Sequence, residues 1–291
     1  MLEFKKVELE DLECYKAFSK DGETSCENTF VNLLVWQKTY NNMFAVCDGQ
    51  FILKSGGIEE ENFALPFGDD FEKGMELIFE YCGKKPDFWV QEGPRFEKFK
   101  KLYGSEYEFF ENRDAFDYVY LREDLATLSG KKYHSKRNHI SAFSKKFSWE
   151  YRPITQENTE AVKLCCEKWY SENSERLDKY MLCEKNGVEI ILNNFEVLEI
   201  KGGMILVDDK AVAFTLGSAI NNEIFDIHIE KALSDYAAAY TVINREFAKN
   251  ELSDYKYINR EDDLGLEGLR KAKLSYHPHI LLKKYSCTPV K

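Results

Sequence analysis

"GGMILVDDKAVAFTLGSAI" (202–220), followed by "EIFDIHI" (223–229), is the stretch whose reading decides the fold. Two apolar runs flank Asp208-Asp209, residue types that favour tight turns, so 202–220 is expected to be a hairpin. "EIFDIHI" is rich in β-branched residues and reads as a strand. "DYAAAYTVINREFAKN" (235–250) then puts Ala239, Val242, Ile243 and Phe247 on one helical face, and "YKYIN" (255–259) returns as a strand. Strand, helix and strand in succession make a right-handed parallel βαβ unit. A short helix, "LGLEGLRKAKL" (264–274), and a last strand, "HPHILLKKY" (277–285), complete the set.

The first half repeats this order. "MFAVCDGQFILKS" (43–55) is a hairpin turning at Asp48-Gly49. "FALPFG" (63–68) is a strand, and "DFEKGMELIFEYCGK" (70–84) a helix capped by Asp70 and closed by Gly83. "DFWVQEG" (87–93) is a buried strand, "PRFEKFKKLYG" (94–104) a helix opened by Pro, and "YEFFENRDAFDYVYL" (107–121) one or two strands. Helical stretches at about 9–40 and 156–195 precede the two sets. The expectation is an α/β (α+β) chain with an internal duplication. Two mixed β-sheet domains flanked by helices would occupy 1–128 and 149–291, joined by a basic stretch at 129–148.

The chain has 291 residues, with 51 acidic against 40 Lys and Arg. A net charge of −11 argues against broad, sequence-independent nucleic-acid binding, which needs a large positive field. Its apolar runs are too short for an integral membrane segment, and the acidic N-terminus is unlike a signal peptide, so a cytoplasmic protein is expected. Eight Cys without a CxxC pair are expected to be free thiols, and no metal site is assigned.

The joining stretch, "SGKKYHSKRNHISAFSKKF" (129–147), carries six Lys/Arg, and no acid occurs from Leu125 to Trp149. On a helix, Tyr133, Ile140, Phe143 and Phe147 form one stripe, while Lys132, Lys136 and His139 form another. A solvated face is the ordinary outcome for a charge run. The lack of acids in so acidic a chain favours an anion site built from Lys136, Arg137 and His139. In "YINREDDLGLEGLRKAKLSYHPH" (257–279), polar groups follow a strand, and Arg270, Lys271 and Lys273 follow two Gly. That arrangement suits either an anion or an ordinary helix dipole. Asp226 and His228 are two apart on a strand and share a face. They form either a base with its orienting partner or a structural polar pair.

Three separated segments, "TFVNLLVWQKTYNN", "GKKYHSKRNHISAF" and "INREDDLGLEGLRKAKLSYHP", together resemble a bacterial domain family related to the C-terminal domain of phosphatidylglycerol lysyltransferases. The resemblance implies a tandem GNAT-like acyltransferase fold, an architecture shared with the Fem peptidyltransferases. It implies transfer of an acyl or aminoacyl group to an amine or hydroxyl. The donor substrate would be acyl-CoA or aminoacyl-tRNA, with tRNA a possible partner and no tightly bound cofactor. It also implies an Asn for the donor and a Tyr as general acid, roles that fall on Asn259 and Tyr276. The candidate catalytic residues are therefore Asp226, His228, Glu261 and Tyr276. The candidate donor-binding residues are Lys136, Arg137, His139, Asn259, Arg270 and Lys273. The chain departs from the GNAT pattern where a Gly-rich basic loop should hold pyrophosphate: "EKALSDYAAAYT" (230–241) has no Gly and no Arg. A non-catalytic degenerate module that binds RNA or a phosphate-bearing metabolite is the alternative. The lysyltransferases carry a membrane domain that is not read here, so a lipid acceptor is not expected.

Overall fold

The computed structural model describes residues 2–18, 24–56 and 61–291. They form two compact units. The first is Met1–Asp117 with Asp262–Arg270 and Leu281–Lys291; the second is Tyr118–Glu261 with Lys271–Ile280.

In the first unit the described strands run in the order Lys5–Lys6, Met43–Cys47, Gln50–Ser55, Asn62–Phe63, Asp87–Gln91, Lys284–Pro289 and Tyr107–Glu111. The hairpin turns as expected, because Asp48 (φ 49°) and Gly49 (φ 71°) both adopt the left-handed conformation that matches strand twist. Helix Phe71–Cys82 starts where the Asp70 carboxylate accepts the Lys73 N–H at 3.0 Å and ends at Gly83, φ 62°. It buries Phe71, Met75 and Ile78 against a mainly aromatic core in which Phe99 packs on Phe88 and Tyr107. Asn62–Phe63 and Asp87–Gln91 pair in parallel on either side of that helix in sequence, the expected βαβ unit. "FALPFG" is not one strand: it forms Asn62–Phe63 and Phe67–Gly68, and between them Pro66 has no N–H to give a ladder.

The second sheet runs Ile280–Leu282, Asp117–Leu121, Tyr257–Asn259, Ile224–Ala232, Lys210–Ala219, Lys201–Val207 and Trp149–Pro153. The hairpin turns at Asp208 and Asp209, both at positive φ, and Ile224–Ala232 pairs in parallel with Tyr257–Asn259. Helix Ala239–Asn250 buries Val242, Ile243 and Phe247, and the Phe247 ring meets Phe225 of the sheet at 5.8 Å. In the basic stretch, helix His134–Lys146 follows a single turn at Lys131–Tyr133; Tyr133, Ile140 and Phe143 are buried, and Phe147 is partly so.

The duplication is therefore visible as strand order. Counted from Lys5–Lys6 in the first sheet and from Trp149–Pro153 in the second, the sixth position is filled by a segment remote in sequence, Lys284–Pro289 and Asp117–Leu121 respectively. The units consequently differ from the contiguous limits 1–128 and 149–291. "HPHILLKKY" splits into Ile280–Leu282 and the start of Lys284–Pro289, which belong to different sheets. Tyr107–Glu111 and Asp117–Leu121 do the same. Non-local pairing of this kind leaves no mark in local sequence pattern.

One buried cation anchors Lys284–Pro289 in the first unit. Lys284 Nζ is fully buried, 2.7 Å from Asp117 Oδ1 and 2.9 Å from Glu27 Oε1. The Cys26 N–H donates to Asp117 Oδ2 at 3.0 Å, and the Cys26 thiol faces Oδ1 at 3.2 Å. Burial alone would push the Lys284 ammonium down, but Asp117, Cys26 and Glu27 hold it well above its ordinary value. Lys284→Met leaves the Asp117 carboxylate buried without its cation and is expected to remove about 3–5 kcal/mol of stability. Denaturant unfolding checks this, and the double variant Lys284→Met/Asp117→Asn should recover part of the loss.

Candidate functional site

The second unit's sheet contains one register shift that shapes the site. Leu216 pairs with Ile229, but the next residue, Gly217, pairs with Ile227. One step on Lys210–Ala219 thus spans two on Ile224–Ala232, and His228 is the extra residue of a β-bulge. Simple alternation would point Asp226, His228 and Glu230 the same way. Instead Glu230 turns to helix Ala239–Asn250, where Asn244 Nδ2 donates to its Oε2 at 3.2 Å, while His228 meets Ser218 and Glu261. Gly217 makes the bulge possible. A Cβ there would lie 2.1 Å from the Asp226 carbonyl oxygen and 2.4 Å from the Phe225 ring.

The bulge assembles three titratable groups from two strand ends. His228 Nδ1 lies 3.3 Å from Asp226 Oδ2 and 3.5 Å from Glu261 Oε1, and Nε2 is 2.8 Å from Ser218 Oγ. The side chains of Asp226 and His228 are 0% and 3% exposed, against 24% for Glu261, so the group opens outward on the Glu261 side. Glu261 holds φ 55°, a left-handed conformation that strains a residue with a Cβ by about 1–2 kcal/mol. Asn259 enforces it: its Oδ1 accepts the Glu261 N–H at 2.8 Å, and the Glu261 carbonyl accepts the Tyr118 N–H at 3.1 Å. Asn259 is fully buried and lies opposite Asp226 in the parallel ladder. Its observed part is thus to position a carboxylate.

A second, cationic group lies in the same unit. Arg260 Nη2 is 2.7 Å from Glu230 Oε1, while Nη1 is buried and has no hydrogen-bond partner among the described residues. The guanidinium sits 4.9 Å from the Tyr276 ring centre, and Lys136 Nζ sits 3.6 Å from the same centre and 2.7 Å from Ser275 Oγ. Burial, and then repulsion from Arg260, lower Lys136 to about 8 despite the opposing pull of Glu230. Tyr276 is buried; its hydroxyl reaches Thr241 Oγ1 at 3.4 Å, and its ring serves as the platform for both cations. Burial chiefly raises its phenol above the ordinary value.

The remaining sequence candidates are placed elsewhere. Arg137 Nη1 donates to the Leu128 and Gly130 carbonyls at 2.5 and 2.7 Å, closing the turn after helix Arg122–Thr127. His139 is exposed. Lys273 Nζ donates to the Arg260 carbonyl and is buried. Arg270 belongs to the first unit, where it binds Asp263 at 2.8 Å and Asp114 at 2.6 Å. Those two carboxylates neutralise it. Sequence reasoning passed over Ser218 and Arg260. The "GS" step in an otherwise apolar strand was the only local signal for Ser218; Arg260 follows Asn259 directly but stood among three acids. The loop at 230–241 is occupied as well: Glu172 Oε2 accepts the Ser234 N–H at 3.0 Å, and Lys231 pairs with Glu184 at 2.7 Å.

Two mixed sheets of matching strand order, each with a parallel βαβ unit, define a tandem GNAT-like fold. The chain belongs to the family of the phosphatidylglycerol lysyltransferase C-terminal domain, which it matches over residues 21–288. A conserved protein of unknown function from Bacteroides thetaiotaomicron is 36% identical, with TM-score 0.92 and 100% of both chains covered. L-PGS of Bacillus licheniformis is 14% identical with TM-score 0.66, covering 97% of this chain and 92% of that one. FemX shares the fold at 8% identity and TM-score 0.60, with 98% and 96% covered. An uncharacterized protein of Mycoplasmoides gallisepticum is 25% identical over 177 residues, 58% of this chain and 54% of that protein. The chain thus spans about half the length of the curated relative it matches. No helix among the described residues is long and apolar enough to cross a membrane.

The lowered Lys136 gives a direct test. Its amine is expected to be half neutral near pH 8, so a limiting amount of acetic anhydride should modify it well before the ordinary lysines at that pH. Peptide mass spectrometry across pH 7–10 measures this. In Arg260→Gln the repulsion is gone, and the onset of labelling should move to higher pH.

Proposed function

We propose that the protein transfers an aminoacyl group from aminoacyl-tRNA to an amine or hydroxyl acceptor, with the second unit holding the working site. The observation that carries this is the bulge at His228, which sets Asp226, His228 and the partly open Glu261 carboxylate around one point. An amine or hydroxyl must lose a proton as it attacks a carbonyl, and this group is placed to accept it. The bulge also takes one residue out of the regular ladder, and a backbone N–H released there would stabilise the oxyanion of the tetrahedral intermediate.

The donor's phosphates would meet Arg260 and Lys136. Arg260 supplies an inward Nη1 with no hydrogen-bond partner among the described residues, and Lys136 a point charge. The family and the FemX-like fold favour an aminoacyl donor over acyl-CoA. So does the Glu172 carboxylate at the Ser234 N–H, which places an acid where a GNAT enzyme of the ordinary kind would hold pyrophosphate. Arg137, Arg270 and His139 have no part in this reading.

The assay offers tRNA charged with labelled amino acids, and separately acetyl-CoA, to the protein with simple amines or phosphatidylglycerol vesicles as acceptors. Transfer from charged tRNA is expected, falling at least about 100-fold in His228→Gln with tRNA affinity unchanged. Salt-sensitive tRNA binding without turnover on any acceptor would instead establish the non-catalytic binding module. Transfer from acetyl-CoA alone would overturn the donor assignment.

A further inference from the structure

We infer that Asp226, His228 and Glu261 form a binding site for one divalent transition-metal ion of the Zn2+ or Mn2+ class. Each residue offers one ligand atom, and the three atoms lie within 4.8 Å of one another. The argument rests on His228. Its side chain is almost fully buried, and its Nδ1 points at two carboxylate oxygens without making a hydrogen bond to either.

Separations of 3.3 and 3.5 Å are too long for charge-assisted N–H···O bonds, which cluster at about 2.7–2.9 Å. A proton on Nδ1 also lies along one line and serves one acceptor well. An ion equidistant from the ligand atoms fits both separations. With ligand bonds of about 2.0–2.2 Å, the edges of a tetrahedron are about 3.3–3.6 Å. Ser218 Oγ, 2.8 Å from Nε2, is placed to accept the Nε2 proton. That tautomer leaves the Nδ1 lone pair facing the carboxylates, the orientation a metal ligand needs. One imidazole nitrogen with two carboxylate oxygens is a borderline-to-hard set, suited to Zn2+, Mn2+ or Fe2+ rather than to thiophilic ions. Two carboxylates with a divalent ion are neutral together, which removes the burden of burying like charges side by side.

The fourth position opens on the Glu261 side, where a hydroxyl or amine bound to the ion would lose its proton more readily. That role for the ion rests on the transfer reading; its binding does not. No sequence motif announces the site, because its ligands come from a bulged strand and from the segment after the neighbouring one.

The test adds Co2+ alone to chelator-treated protein, followed by visible absorption, and Zn2+ alone, followed by calorimetry. The expected result is one ion per chain, with d–d bands of a nitrogen–oxygen site and no thiolate charge-transfer band. Glu261→Gln, an isosteric change at a partly open side chain, should weaken binding at least about tenfold. Ser218→Ala, which frees the imidazole to turn, should weaken it about tenfold. Far-ultraviolet circular dichroism verifies that both variants are folded. No binding by the native chain, unchanged affinity in Glu261→Gln, or a thiolate band showing the ion on cysteines would each overturn the inference. Ion binding without transfer from any donor leaves the metal site standing and sinks the transfer reading. Undiminished transfer by protein that binds no ion does the reverse.

Discussion

A mismatch of one residue between two neighbouring strands is the constraint on which the site depends. Gly217 has no side chain, so the Asp226 carbonyl and the Phe225 ring can come close, and Ile224–Ala232 accommodates an extra residue. In a regular ladder without the bulge, Glu230 would lie beside Asp226 and His228, stacking three polar side chains on one face. With it, Glu230 crosses to the helix face and pairs with Arg260, while Asp226 and His228 stay with Ser218 and Glu261. One backbone irregularity thereby separates an acidic group from a cationic one within a few residues of strand.

The separation matters because charges in a low-dielectric interior act strongly on their neighbours. Asp226 and Glu261 both face the His228 imidazole. Arg260 and Lys136 share the Tyr276 ring and have Glu230 as their counter-charge. The first group suits proton or cation chemistry, and the second suits an anion. Strain at Glu261 belongs to the same design: a left-handed residue kept in place by Asn259 puts its carboxylate where an unstrained chain would not.

Local pattern carried most of the element order. Turn chemistry located both hairpins, capping and glycine located helix Phe71–Cys82, and a 3.6-residue stripe located helix His134–Lys146. Pairing did not follow from it. Strand order depends on contacts between residues far apart in sequence, so the exchange of Lys284–Pro289 and Asp117–Leu121 stayed hidden, and so did the strand Trp149–Pro153 with its mixed edge pattern. The site was legible in part. Asp226 with His228 followed from strand periodicity, and Glu261 from its place after a strand. Arg137 stands in a stretch without acids and Arg270 behind two Gly, but neither pattern reveals that a guanidinium is already taken up by carbonyls or carboxylates.

The remote sixth strand of the first sheet has a bearing on how the protein is made. Residues 2–117 supply the other strands and nearly all of the aromatic core, yet the slot between Asp87–Gln91 and Tyr107–Glu111 waits for Lys284–Pro289. Until a ribosome has translated that segment, the nascent first unit holds two open strand edges, and Asp117 lacks its lysine. Vectorial, domain-by-domain folding is therefore closed to it. The first unit, most of which precedes the second in sequence, thus reaches its final hydrogen bonding only after Lys284–Pro289 has been made.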